Sequence, residues 1–433
     1  MAPTVTVRYR DGTVIADISS ICMDKQLTFR LNRPASFTFR VPSYMVAELQ
    51  EDVPDPQPLL CTGYRQISVT TDAMGLCFHG IVWNIEDDGN EDMVYSRVTC
   101  WDPMILWRYR PARDDVDSYT GEAGNLSDPS FIARNKFGGP IMEEILTASE
   151  SPGRVPTLAE GQLWIDLSAS TFTGGGSDLT GAPTNWPMTI ADIATLLTNT
   201  GELDIVLTPV IGSIGVDGFM NMATLATFTG AFGDDLTATV HFDYATGDNN
   251  VRLFRRHENM DTIGNKLFYY LGPRLDQQHW RSNVTRDHPD FSTIPSFPSL
   301  DTFVDVSRAS FGVFMLQNIY DNFGTGQGAV SAGETSAYWL FMRQWMVEQT
   351  IRLGPRNLVY ITPVRGDATL PQGGDVFGPG DFGLGDLVTV NVGAKTRKAE
   401  SGAQRIYQYT VDIDDDGVEA LGELVASPDQ DTV

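Results

Sequence analysis

Residues 26–40 alternate so regularly that they leave little choice of structure. Leu27, Phe29 and Leu31 alternate with Thr28 and Arg30, Asn32-Arg33-Pro34 turns the chain, and Phe37 and Phe39 then alternate with Thr38 and Arg40. A period of two sends every apolar side chain to one side of a strand, and a slip of one residue would turn the whole set to water. This is a hairpin with one buried face. Shorter runs of strand character recur at 4–8, 67–71, 78–86 and 93–101, and again toward the far end at 358–363, 387–392, 404–413 and 418–425. Between them, 203–210, 237–244 and 251–254 also read as strands, the last two joined through Gly247-Asp248-Asn249-Asn250.

Helices are few. Ser43 is placed to cap a short one to about residue 50, and Asp102-Pro103 opens a single turn through Trp107. A helix is expected over 141–149, started by Pro140. Another follows over 190–199, with Thr189 as cap, Asp192 at its third position and Gly201 beyond its end. The longest is expected over 335–353, where Trp339, Leu340, Met346, Val347 and Ile351 make a broad apolar face and Gly354-Pro355 stops the run. The 41 glycines and 24 prolines imply many turns, and residues 285–335 read as loops.

A chain of 433 residues exceeds what one core usually serves. The expected fold is α+β but mostly β, with two β-barrel-like domains, one at each end. Its parts are an N-terminal β-barrel domain at 1–110, a mixed α/β insertion at 111–200, a strand- and loop-rich middle at 201–335, and the long helix plus a C-terminal β-barrel at 336–433. One internal echo fits two related barrels. Val82-Trp83-Asn84-Ile85-Glu86-Asp87-Asp88-Gly89 and Thr410-Val411-Asp412-Ile413-Asp414-Asp415-Asp416-Gly417 both run a strand into an acidic D-D-G turn.

The formal charge of −26 argues against a duplex-DNA grip, which needs a basic stripe to displace counterions, and against anionic lipid. It suits a soluble surface, or a lumen that nucleic acid passes without sticking. Cys22, Cys61, Cys77 and Cys100 make no C-x-x-C pair and are expected to be reduced. No secretory-type run opens the chain and no run approaches 18 apolar residues, so it is expected to be made in a cytoplasm without a membrane span.

The motifs that could carry chemistry have plainer readings. Asp412, Asp414, Asp416 and Glu423, with Gly417, have the spacing of an EF-hand loop, but strands flank them and a hairpin turn is expected instead of a calcium site. Gly378-Pro379-Gly380-Asp381-Phe382-Gly383 matches G-x-G-x-x-G, yet no helix pattern follows, so it reads as a loop. His79, His241, His257, His279 and His288 form no ligand pair, and Cys77 beside His79 on a strand would need two further ligands for a metal. Arg252, Arg255, Arg256 and His257 are the densest basic cluster, expected at a strand edge or a subunit contact. No catalytic, cofactor-binding or metal-binding residue is assigned and no cofactor is expected; the chain is read as a non-enzyme.

Several segments in order carry a family likeness. They are Leu27-Thr28-Phe29-Arg30-Leu31-Asn32-Arg33-Pro34 with Phe37-Thr38-Phe39; Phe78-His79-Gly80-Ile81-Val82 with the strand at 94–100 and Trp101-Asp102-Pro103; Leu384-Gly385-Asp386-Leu387-Val388-Thr389-Val390; Gln404-Arg405-Ile406; and Val411-Asp412-Ile413-Asp414. With them the chain resembles the tail-hub proteins of long-tailed, siphovirus-type bacteriophages, called minor tail proteins in actinobacterial phages. Their fold is shared with contractile-tail baseplate hubs and the N-terminal part of type VI spikes. The resemblance implies a structural virion protein of the tail tip. Two barrels per chain in a homotrimer would make a pseudo-sixfold ring. That ring would join the distal tail or tail tube protein above to tip, tail fibre or tape-measure proteins below, and line the DNA exit channel. It would be assembled in the host cytoplasm. The alternatives are a hexameric distal tail protein and a tail-associated cell-wall or polysaccharide hydrolase, whose carboxylate pair need only be close in space.

Overall fold

The computed structural model describes residues 3–51, 53, 55–63, 65–71, 74–89, 93–110, 138–150, 163–172, 189–199, 203–215, 218–229, 232–246, 249–259, 266–271, 281–284, 315–320, 356–363, 381–393 and 396–428. Strands dominate them. In chain order the N-terminal elements are β1 (Thr4–Arg8), β2 (Val14–Asp17), β3 (Met23–Arg30), β4 (Ser36–Pro42), α1 (Ser43–Glu51), β5 (Gln66–Thr71), β6 (Gly75–Gly89) and β7 (Val94–Trp101). A 3-10 turn at Pro103–Arg108 follows, with Asp102 accepting from the Met104 N–H at its start. The middle holds α2 (Gly138–Glu150), β8 (Thr171–Phe172), α3 (Ile190–Asn199), β9 (Leu203–Pro209) and β10 (Ala223–Thr229). Then come β11 (His241–Tyr244), β12 (Val251–Asn259), β13 (Lys266–Leu271), β14 (Arg281–Val284), β15 (Met315–Tyr320), β16 (Arg356–Pro363), β17 (Leu387–Val392), β18 (Glu400–Ile413) and β19 (Glu419–Ser427).

Thirteen strands form one large, mainly antiparallel sheet in the order β12-β16-β19-β18-β3-β4-β7-β6-β5-β1-β2, with β17 also on β18 and β11 on β17. The sheet is open, ending at β12 and β2, and no sheet of the described residues closes on itself. The alternation that marked residues 26–40 is what buries it: Leu27, Phe37 and Phe39 have almost no exposed surface. The Phe37 ring packs 5.1 Å from Phe39 and 5.9 Å from Phe78 between centroids. Each such ring contributes roughly 1.5–3 kcal/mol by leaving water.

Strand order reveals a repeat that side-chain patterning does not. The N-terminal strands lie as β3-β4-β7-β6-β5, and the C-terminal ones as β12-β16-β19-β18-β17. Numbered along the chain within each group, both orders are first, second, fifth, fourth, third, with antiparallel neighbours throughout. The fourth and fifth strands pair with the same irregularity. A bulge sits between Val82 and Asn84 in one and between Ile406 and Gln408 in the other, with aromatic Trp83 and Tyr407 as the extra residues. The D-D-G echo does not share in the repeat: Asp414–Gly417 is the turn of one hairpin, whereas Asp87, Asp88 and Gly89 still pair with Ser96, Tyr95 and Val94 in the other. Following the antiparallel pairings from β18 through β3, β4 and β7 to β6 puts Asp414–Asp416 and Glu86–Asp88 at the same end of the sheet.

One hydrophobic core serves both five-stranded units, from Val5 and Phe37 to Val411 and Leu424. The middle elements build a second core. Ile190, Ile193, Ala194 and Leu197 fall on one stripe of α3 and meet Met142, Ile145 and Leu146 of α2, Leu203 and Ile205 of β9, and Trp107. The cap of α3 forms as the sequence implies: the Thr189 N–H and hydroxyl both donate to the Asp192 carboxylate, and the Asp192 N–H donates back to Thr189.

Three expectations change. Residues 251–254 are the start of a longer strand, and β11 and β12 are not ladder partners: β11 runs parallel to β17 and β12 antiparallel to β16. Residues 237–240 do not extend β11, because the Asp235 carboxylate accepts from the Thr237 N–H and hydroxyl and holds a turn. Within the stretch read as loops, Met315–Tyr320 is a strand beside β13. The helix expected over 335–353 lies outside the described residues.

Candidate functional site

The two five-stranded units meet along β18. Arg405 pairs with both Leu387 of β17 and Ser427 of β19, so those strands lie on opposite edges of β18. Gln408 pairs with both Arg30 of β3 and Val425 of β19, so β3 shares an edge of β18 with β17. One edge of a single strand is thus divided: residues 400–405 hold β17 and residues 408–413 hold the first strand of the other unit. Side chains reinforce this seam. The Phe29 and Tyr409 rings lie 5.0 Å apart, Gln26 donates to Asp412 at 2.8 Å, and Arg30 donates to Gln408 at 3.1 Å.

Beneath the seam is a buried ion pair. Arg405 and Asp204 are 6% and 4% exposed and in direct contact. Arg405 also donates to the Gly385 and Phe232 carbonyls, and Asp204 accepts from the Phe232 N–H and from Asn32. Burial by itself would lower the Arg405 pKa; the neighbouring carboxylate and Tyr407 outweigh it and raise it. Asn32 has a positive φ of 62°, which Asn tolerates. There its side-chain carbonyl accepts from the Ile205 N–H at 2.6 Å while its own N–H donates to the Ile205 carbonyl at 3.1 Å. Gly385, with φ of 83°, lies against the Phe232 backbone closely enough that no side chain would fit. One polar cluster thus ties the N-terminal hairpin, β9 of the middle and the C-terminal unit together. Arg405 and Gly385 belong to segments that carried the family resemblance, but their partner Asp204 has no local signal; only the requirement that a buried arginine be paired points to it.

The sequence motifs resolve individually. Asp414-Asp415-Asp416-Gly417 is the tip of the β18–β19 hairpin, with Gly417 at φ 83° and the Asp414 carboxylate accepting from the Val418 N–H. Asp412 bonds Gln26, and Glu423 pairs with Arg255 at 3.4 Å, so the four carboxylates do not converge. Of the G-x-G-x-x-G stretch, Asp381-Phe382-Gly383 is described; Phe382 is a core residue and the Gly383 N–H donates to Asp386. Cys77 and His79 do not share a face. A bulge between Val69 and Thr70 turns Cys77 into the core with Phe78, where burial raises its thiol pKa to about 12. His79 points the other way, 3.0 Å from the Val210 carbonyl and 3.2 Å from Gln66, and burial lowers it to about 4. His241 contacts the Thr237 carbonyl, and His257 is exposed on β12; His279 and His288 lie outside the described residues. Among the described residues no group of three His, Cys, Asp or Glu could hold a metal ion, and no helix is long and apolar enough to cross a membrane. Arg252, Arg255, Arg256 and His257 sit on β12, at one end of the strand order.

No protein-family model matches the chain, and no curated protein matches its sequence. Solved structures are similar to it along most of its length. A tail protein from Neisseria meningitidis MC58 is 11% identical, with 99% of this chain and 97% of that one covered and a TM-score of 0.49. The 43 kDa tail protein of prophage MuSo2 from Shewanella oneidensis is 12% identical, with 98% and 97% covered and a TM-score of 0.49. An E. coli component of the type VI secretion system, described as structurally similar to T4 bacteriophage tail proteins gp27 and gp5, is 9% identical, with 94% and 73% covered and a TM-score of 0.39. The structural neighbours of this chain are therefore phage and prophage tail proteins together with a type VI secretion component.

Proposed function

We propose that the chain is a non-enzymatic structural subunit of a bacteriophage tail tip, a hub that forms a homotrimeric ring between the tail tube and the tip. The observation that carries this reading is the repeat: one chain holds two five-stranded units of the same strand order, joined through β18 and β3, with a matching bulge between the fourth and fifth strands of each. A single unit per chain would give a ring as many units as it has chains. Two units let three chains offer six near-equivalent positions, which is what a joint between a sixfold tube and a threefold tip requires. In this reading each unit, with its flanking strands, is one barrel-like wall segment; the boundary near 110 ends the N-terminal wall, and the C-terminal wall takes in β11 and β12, which precede 335. The partners are other copies of the chain, a distal tail or tube protein above, and tip, fibre or tape-measure proteins below. The exposed Asp414–Asp416 tip would give passing DNA an anionic rim to slide by.

Electron cryomicroscopy of the intact tail tip tests this. The expected result is three copies of this chain in a ring with near-sixfold appearance. Six copies per ring would favour the distal tail protein, and clearing of host peptidoglycan by the purified chain would favour a hydrolase.

A further inference from the structure

The seam between the two units leaves a second, identical vacancy and the strand to fill it. On β6, Ile81 pairs with Gln66 of β5 and Trp101 of β7, so those strands take opposite edges. Past Ile81, the β5-side edge carries, among the described residues, the backbone bonds of Val82 with Gly63 and Arg65. Among the described residues no strand lies beside residues 84–89 on that edge, and Glu86, Asp87 and Asp88 are exposed. This is the segment equivalent to residues 408–413 of β18, which hold β3. At the far end of the sheet, β12, the counterpart of β3, pairs among the described residues with β16 alone and shows Arg252, Leu253, Arg255 and His257 to solvent.

From this repeat we infer that β12 of one copy pairs, antiparallel, with the open edge of β6 in a second copy, repeating between chains the β3–β18 seam within one. The inference rests on the hub reading above. Its register follows from the pairings. Across the first unit, Asn84, Thr99, Thr38 and Gln26 lie in one row; across the second, Gln408, Val425, Tyr360 and Arg255 do. Gln26 is therefore equivalent to Arg255, and Asn84 to Gln408. Within the chain Gln26 faces Asp412, four residues past Gln408. Arg255 then faces Asp88, four residues past Asn84. By the same step Arg256 faces Asp87 and His257 faces Glu86. In a chain of charge −26, its densest basic run meets a run of exposed carboxylates on β6 residue for residue. Directly opposed strand residues of opposite charge attract, and complementary edges choose partner and register. The present Arg255–Glu423 pair is exposed at 66% and 42%, so it costs little to exchange or share. The contact joins two different edges, so it is head-to-tail, the kind of contact that builds a ring when its rotation closes. Pairing also covers two edges that would otherwise invite aggregation.

The test uses the full chain and its reversed-charge variants, with mass photometry and negative-stain imaging. Wild type should form closed rings. Arg255→Glu with Arg256→Glu should lose them by at least an order of magnitude in population. Adding Asp87→Arg and Asp88→Arg to that variant should restore them, which also shows that the variant folds. Rings that survive the first reversal would overturn this interface and leave the hub reading standing, as would rings lost and not restored by the second. A wild-type chain that stays single at high concentration would overturn both.

Discussion

At the scale of single residues, Asp102 and His79 are buried with opposite consequences. Asp102 is 7% exposed, and burial raises its carboxyl to about 7 although the Ala35 and Met104 N–H groups and Arg30 favour its charge. An acid with a raised folded pKa binds a proton in the folded state that the unfolded state has released, so between about pH 4 and 7 it makes stability fall as pH rises. His79, lowered to about 4 by burial, is neutral when folded while the unfolded ring is charged. Between about pH 4 and 6.5 it makes stability rise with pH. The two slopes, each at most about 1.4 kcal/mol per pH unit, oppose one another there. We expect His79→Gln to unmask the Asp102 slope, so that the variant gains stability relative to wild type as pH falls from 6.5 to 4.5, and Asp102→Asn to do the reverse. Urea melts across that range check it, and parallel curves for all three proteins would remove the argument.

At the scale of elements, local pattern and non-local pairing separate cleanly. Strands whose alternation is complete within themselves, such as β1, β17 and the β3–β4 hairpin, were legible because each carries its own buried face. β10, with Thr224, Ala226 and Thr227 in its run, was not, because its place depends on β8 and β9 beside it. The bulge that parts Cys77 from His79 was invisible for the same reason: it is a property of two strands together. So was the Asp204–Arg405 cluster, whose members are 201 residues apart. That cluster tests how far the elements depend on one another. Arg405→Met would leave Asp204 buried without its partner, and breaking a buried pair from one side typically costs about 3–5 kcal/mol. We expect that loss in a denaturant melt, with Asp204→Asn and Arg405→Met together costing less than the two singles summed. Additive losses would mean that the pair does not act as a unit.

At the scale of the molecule, the divided edge of β18 makes the chain ends interdependent. Neither five-stranded unit owns a core: Leu27, Phe37 and Val98 lie in the same buried cluster as Ile361, Val411 and Leu424. The strand that seals the N-terminal unit begins at Glu400. Strand patterns at both ends of the chain hinted at this duplication, but the shared core could not be read from sequence, since alternation gives a face and not what it faces. The middle elements differ, having a core of their own around Ile193, Leu146 and Trp107. Cooperative units follow contiguous cores. We therefore expect hydrogen exchange to open β6–β7 and β18–β19 together, at one common free energy, despite about 300 residues of intervening chain. The amides of α3 and β9 should open separately and more readily, with that second core. Protection that ranks the N-terminal strands apart from the C-terminal ones would show two independent walls, and the rigid joint that a ring between mismatched symmetries needs would then have to come from the neighbouring copies alone.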